Sequence, residues 1–459
     1  MNTIENEIDR VVTLFNAGSF WESINQSNDL LKDYPLEKFL IKLQGACYLE
    51  LNEFVLSEKK CLEYLTLDKE DPDIYNNLGI LYHKQRKYDQ SIKNFNKAIS
   101  LNKYYVNAFN NLGCLYRDYG FFDKAIKAFS QGIEIDPNSV EMHQNLSHCL
   151  LLTGQLDLGL KEYNWRWQLK RIVENNFLLK SKKLWDGKQT NIRLLLWREQ
   201  GLGDEIFFLN FLRNLKAKIK QIIVIVDRRL KTIYQKSFPE ISFFIEQKNI
   251  TRDDFDVHLP IGDLMQVLYA NEDFLSYTNS RYLLSDVNRV KSLKSKASLG
   301  KTVIGIAWKT LDERGNIDSK SVDIRYFGKL LENKNCLIVP LQYGNIRNEL
   351  KTLKNEFGLE IAEYSSIDRW TDIDSLAALT DMCDLVISSS SSIVHLAGAL
   401  NKYTWVFLPM VPSFWWSELK KDSVWYKSVK LYRQKKIETW EEPYYDMQSD
   451  LKDFFDNRT

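Results

Sequence analysis

The sequence predicts a helical repeat array followed by two parallel-sheet α/β domains, an α + α/β organisation. Two patterns in the 459 residues carry that expectation. First, the N-terminal third is self-similar at a spacing of 34 residues, a period that belongs to stacked helix pairs. Tyr75, Leu78, Gly79, Tyr82, Phe95 and Ala98 are followed, at the phases of the next repeat, by Phe109, Leu112, Gly113, Tyr116, Ala125, Phe129 and Pro137. Second, from about residue 165 short β-rich runs alternate with helical stretches, which argues for parallel strands joined by crossover helices.

The first pattern resembles the tetratricopeptide repeat. Weaker copies at Gly45 and Tyr48, at Leu14 with Pro35, and at Leu146 with Tyr163 bring the expected number to about five helix pairs. Each pair exposes an apolar face that only its neighbours cover, so residues 1–168 should stack into a curved solenoid whose concave surface takes extended peptide. Asn77, Asn111 and Asn145 share one phase in three successive repeats. An amide both donates and accepts, so such a row could hold a peptide backbone, although asparagine is also ordinary at that phase.

After a closing helix and connector, residues 169–295 form the first α/β block, with strands expected at "IRLLLW", "QIIVIV", "ISFFI" and "DVHLP". The Lys-rich stretch "VKSLKSKASLGK" reads as a linker. Residues 296–459 form the second block, with strands at "TVIGIAW", "CLIVPLQ", "DLVISS" and "TWVFLP" and a final helix in "WEEPYYDMQSDLKDFFDN". Two doubly wound, Rossmann-like domains facing each other are the expected arrangement.

Composition narrows the function classes. With 62 basic and 61 acidic residues the net charge is +1, so no basic stripe favours nucleic acid and any anion site must be local. The chain has no run of ~18 apolar residues and no apolar leader, so a cytoplasmic protein without a transmembrane segment is expected. Six scattered cysteines without a C-x-x-C pair read as reduced thiols rather than zinc ligands.

Two loops carry the candidate chemistry, because open parallel sheets bind ligands at the carboxyl ends of their strands. In "REQGLGDEIFF", Gly201 and Gly203 permit close backbone approach at a helix start, and Asp204 is either a catalytic acid or a helix cap. In "DLVISSSSSIVHLAGAL", Ser390, Ser391 and Ser392 open a helix of small residues, with His395 one turn in. Hydroxyls and free N–H groups there suit a diphosphate, while His395 is either a buried structural residue or a donor to phosphate or sugar. Lys309 and Lys320 follow the first strand of the second block, within reach of a phosphate, and Gln342 follows the next strand, where its amide could read a base or ribose edge. Trp415 and Trp416 form a weaker candidate, read chiefly as packing.

Taken in order, "LWDG", "LLLWREQGLGDEI", "GIAW", "LQYG", "DLVISSSSSIVHLAGAL", "TWVFLP" and "SVWYKSVKLYRQ" resemble the bacterial family in which tetratricopeptide repeats are fused to a glycosyltransferase module of the GT-B fold. The catalytic half is similar to the lipopolysaccharide heptosyltransferases, and the architecture resembles O-linked N-acetylglucosamine transferase. The resemblance implies inverting, metal-independent sugar transfer from a nucleotide-sugar donor to an acceptor hydroxyl, with no resident cofactor and with Asp204 as general base. Protein or peptide acceptors would bind the repeats. The chain departs from the family where Ser390 stands in place of an acid, where Lys320 stands in place of an arginine, and in lacking an Asn-Pro turn near "KTLDERGN". The rival expectation is a catalytically impaired GT-B scaffold that works through its repeats.

Overall fold

The computed structural model describes residues 4–168, 182–216, 219–245, 249–269, 281–297, 300–310, 320–417, 422–437 and 439–456. It divides into two compact units, Met1–Cys149 and Leu150–Thr459.

Helix pairs make up the first unit: α1 (Ile4–Asn16) with α2 (Phe20–Asp33), α3 (Lys38–Glu50) with α4 (Phe54–Leu67), α5 (Pro72–Lys84) with α6 (Tyr88–Leu101), and α7 (Val106–Asp118) with α8 (Phe122–Ile135). A fifth pair, α9 (Val140–Leu152) and α10 (Leu156–Tyr163), spans the division, so α10 counts with the second unit. The turn inside each pair repeats one backbone device. Gly18, Asn52, Arg86, Gly120 and Gly154, each 34 residues apart, all take the left-handed conformation, with φ of 77°, 59°, 61°, 75° and 78°. Glycine adopts it without strain, whereas Arg86 holds it against the usual cost of a Cβ.

The repeated glycine within the pairs has a packing reason. A Cβ on Gly79 would lie 2.5 Å from the Phe95 ring, and one on Gly113 would lie 2.5 Å from Phe129, so only glycine lets these buried aromatics seat against the first helix. Hydroxyls fasten the same contact: Ser57 donates to the Gly45 carbonyl at 2.8 Å and Ser91 to the Gly79 carbonyl at 2.7 Å.

The second unit holds two parallel sheets. One has the order β3-β2-β1-β4, from β1 (Arg193–Trp197), β2 (Gln221–Ile225), β3 (Ser242–Phe244) and β4 (Val257–Pro260). The other has the order β6-β5-β7-β8-β9, from β5 (Thr302–Ala307), β6 (Cys336–Pro340), β7 (Leu385–Ser389), β8 (Thr404–Leu408) and β9 (Val429–Arg433). Helices cover these sheets, so their strands read as continuous apolar runs. All strands run parallel, and the order in which they are added switches sides between β1 and β4 in the first sheet and between β5 and β7 in the second. These are the places where strand order opens a crevice. One apolar cluster joins the halves, with Ile206, Phe207, Ile393, Leu396, Trp415 and Trp425 among its members.

Two expectations are corrected. The first half of the Lys-rich stretch read as a linker, 290–295, belongs to the helix Val287–Ser295, whose N-terminus is capped by Asp286, which accepts from the Arg289 backbone N–H; residues 298 and 299 of the stretch lie outside the described residues. This helix packs on the helix Ile373–Met382 of the second half, and the Tyr364 hydroxyl donates to the Leu293 carbonyl at 3.1 Å. Its lysines face outward, which is why composition alone suggested a linker. The other correction is β9, an unexpected edge strand.

Candidate functional site

The glycine loop leaves the carboxyl end of β1 and enters the helix Leu202–Leu209, and the serine loop leaves β7 and enters the helix Ser392–Ala399. Each loop therefore sits at the reversal point of its own sheet. The two helices meet at Gly203, where an added Cβ would lie 3.1 Å from His395 Cδ2 and 3.3 Å from Ser392 Cα. Close approach is thus what glycine provides at 203. At Gly201, the N-cap with φ −69°, the backbone makes no such demand.

Asp204 is not the N-cap. It stands three residues after Gly201 and reaches back to the Gly201 backbone N–H, the reciprocal half of a capping box. Its Oδ1 accepts a second hydrogen bond, from Trp415 Nε1 at 3.0 Å. Burial pushes its pKa up from the usual carboxylate value; the Trp415 and Gly201 donors and the Lys320 charge oppose that shift, and Glu199 adds to it.

On the facing side, Ser391 is the N-cap of the serine-loop helix, its hydroxyl 3.2 Å from that of Ser388. Ser390 is buried, and its Oγ accepts from Trp416 Nε1 at 3.1 Å. Ser392, the first helical residue, lines a cavity of about 20 Å³ together with Leu202, Ile206, Tyr343, Arg369 and Ile393. That is room for one water molecule. His395 stacks on Trp416 at 5.2 Å, meets Phe207 edge-on and pairs its Nδ1 with the Tyr426 hydroxyl at 3.2 Å. Burial pushes its pKa down to about 3, so it is a neutral packing residue here. Trp415 and Trp416, 3% and 1% exposed, fill the junction.

Two further candidates are committed elsewhere in the fold. Lys309 is ion-paired with Glu349 and donates to the Asn345 carbonyl. Gln342 is buried, and its Oε1 accepts from the backbone N–H groups of Trp308 and Lys309 at 3.0 and 2.9 Å, tying the end of β6 to the end of β5. In the repeats, Asn111 donates to Asn76 at 2.9 Å and Asn145 donates to Asn110 at 3.2 Å, while Arg117 donates to Asn145 at 2.7 Å. The asparagine row is thus partly spent on cross-links between neighbouring repeats, and Asn77 stands beside it, half-buried.

Sequence reasoning missed two charged clusters at the strand ends. Arg166 makes a two-pronged ion pair with Glu199, at 2.9 and 2.8 Å, and also bonds Asp263; all three are buried or nearly so. Glu205, 2% exposed, accepts from the Asp227 backbone N–H at 3.0 Å and lies 3.1 Å from Arg198. Burial pushes its carboxyl up to about 7, and Arg229 holds Asp227 low. Arg229 also lies 4.5 Å over the Trp370 ring. These partners come from distant segments, so no local spacing announced them.

The tetratricopeptide-repeat family model matches residues 72–105 and 106–139. Protein FlbA of Caulobacter vibrioides is 27% identical over 324 residues, covering 66% of this chain and 54% of that protein. The chain therefore spans about half the length of the curated relative it matches. Among solved structures, MamA is 22% identical with a TM-score of 0.32, covering 36% of this chain and 96% of its own. TTC0263, a tetratricopeptide-repeat protein of Thermus thermophilus, is 18% identical with a TM-score of 0.33, covering 37% and 92%. Among the described residues no helix is long and apolar enough to cross a membrane. The N-terminal array consists of tetratricopeptide repeats, a module for protein partners, joined to Rossmann-like parallel-sheet domains.

Proposed function

We propose that the second unit is a GT-B-type glycosyltransferase that moves a sugar from a nucleotide-sugar donor to an acceptor hydroxyl, inverting at the sugar carbon, while the repeats engage a protein partner or acceptor. The observation that carries this reading is the convergence of two loops, each at the reversal point of its sheet, with Asp204 where they meet. In this mechanism the start of the helix Ser392–Ala399 offers free N–H groups to the departing diphosphate, and the Lys320 charge adds to that field. Asp204 takes the proton of the attacking hydroxyl. A carboxylate raised by burial is a better base than an exposed one, since it binds the proton more tightly once it has it. With Lys309 and Gln342 committed to internal partners, recognition of the donor falls on Ser391, Ser392 and Lys320.

A second reading, an impaired scaffold working through its repeats, is favoured by a different observation. Trp415 and Trp416 fill the junction, and Ser390, standing where the family resemblance implies an acid, has its hydroxyl already bonded to Trp416. Calorimetry with uridine, adenosine and guanosine diphosphates separates the two. The transferase binds at least one of them, and a scaffold with a filled junction binds none. A screen of nucleotide sugars with mass-spectrometric product detection then identifies the donor.

A further inference from the structure

Asp204 and Trp415 are 211 positions apart in the chain and belong to opposite halves of the second unit, yet one hydrogen bond joins them. The indole is held from several sides. Its ring packs on Phe207 at 4.3 Å, on Phe208 at 5.1 Å and on Phe414 at 3.7 Å. Its backbone carbonyl accepts from Trp425 Nε1 at 2.7 Å. Arg433 clamps the following turn by donating to the carbonyls of Trp416 and Ser417 at 3.0 and 2.9 Å. A donor so fixed selects one orientation of the carboxylate it meets. An ionised carboxylate has about four acceptor sites; Trp415 and the Gly201 N–H use two of them, which leaves room for an incoming hydroxyl.

We propose that Trp415 is the positioning residue of Asp204: its indole N–H, delivered from the second half, fixes the carboxylate's orientation and sets the pH range over which that group accepts a proton. The chemical purpose of that control rests on the transferase reading; the hydrogen bond and its effect on titration do not. The charged and titratable groups facing Asp204 are Lys320 from the stretch after β5, Glu199 from the loop after β1, Tyr163 at the end of α10 and Tyr426 in the turn before β9. Glu199 shares Arg166 with Asp263 and opposes a charged Asp204, both tyrosines are held protonated by burial, and the nearby His395 is neutral. Among the side chains, Lys320 and the Trp415 donor are therefore what favours the charged form.

The test begins with the wild-type protein. The Trp415 indole ¹H–¹⁵N resonance, assigned by its loss in Trp415→Phe, is followed against pH alongside the Asp204 carboxyl ¹³C resonance, assigned by its loss in Asp204→Asn. The two should move with one shared midpoint, and the indole titration should vanish in Asp204→Asn. In Trp415→Phe, which keeps an apolar ring against Phe207, the Asp204 midpoint should rise by about one pH unit, because a donor to the charged form is gone. The acid limb of kcat/KM should rise with it while KM for the donor stays put. A wild type in which no indole resonance titrates and then stops titrating in Asp204→Asn overturns the proposal, whether or not Trp415→Phe folds. So does an unmoved Asp204 midpoint in a folded variant. If no nucleotide sugar is turned over by the wild type, the transferase reading fails, and the two titrations still decide the positioning role.

Discussion

Glu205→Gln should change how stability depends on pH, and the size of the change follows from the site. The Glu205 side chain is buried beside Arg198 and Asp227, and loss of hydration outweighs its partners, so its folded-state pKa is pushed up from 4.5 to about 7. Between those values the folded protein binds a proton that the unfolded chain has released, so stability falls as pH rises through the window. At about 1.36 kcal/mol per pH unit, the interval from 4.5 to 7 amounts to about 3 kcal/mol. Glutamine keeps an oxygen for the Asp227 N–H and cannot ionise. The unfolding free energy of the wild type minus that of the variant should therefore drop by about 3 kcal/mol from pH 4.5 to 7 and then level off. Asp227, held low by Arg229, stays ionised across that range and cancels in the difference. Urea titrations followed by tryptophan fluorescence report on the right unit, because Trp21 alone of the 12 tryptophans precedes residue 150. A difference that is flat, or that climbs with pH, would refute the assignment of burial as the dominant cause.

Two further perturbations test the packing. Gly79→Ala or Gly113→Ala drives a methyl to 2.5 Å from a fully buried phenylalanine ring, and overpacking should cost ~1–3 kcal/mol, less up to ~1 kcal/mol of gained helix propensity. Chemical denaturation followed by far-ultraviolet circular dichroism measures it, and a stabilised variant would contradict the packing described. Arg166→Met strands Glu199 and Asp263 without their cation and should destabilise the second unit by about 3–5 kcal/mol in urea. A loss below about 1 kcal/mol would mean the cluster contributes little.

The legible part of the fold was the part governed by local periodicity. The 34-residue phase of Leu78 and Leu112 foretold the helix pairs, and eight mainly apolar runs foretold β1 to β8, because strands covered on both faces are built chiefly of apolar residues. β9 escaped because it lies at the sheet edge, where Lys430 and Arg433 interrupt the apolar run in "VKLYR". The site was legible as two loops and no further. Gln342 and Lys309 look identical in sequence whether they face a ligand or a backbone, and their partners decide otherwise. Asp204 read as a cap by residue type, but the cap position depends on where the helix begins, and it begins at Leu202. The link from Trp415 to Asp204 has no sequence signature, since packing of distant segments created it.

The central claim is that Asp204, at the meeting of the glycine and serine loops, accepts the acceptor's proton in sugar transfer. The direct measurement is turnover of the nucleotide sugar that the purified protein uses, in the wild type and in Asp204→Asn, with nucleoside diphosphate affinity measured for both. The account predicts a loss of kcat on the order of 10²–10⁴-fold with diphosphate affinity retained. Equal turnover in the two proteins, or a wild type that binds no nucleoside diphosphate, would contradict it.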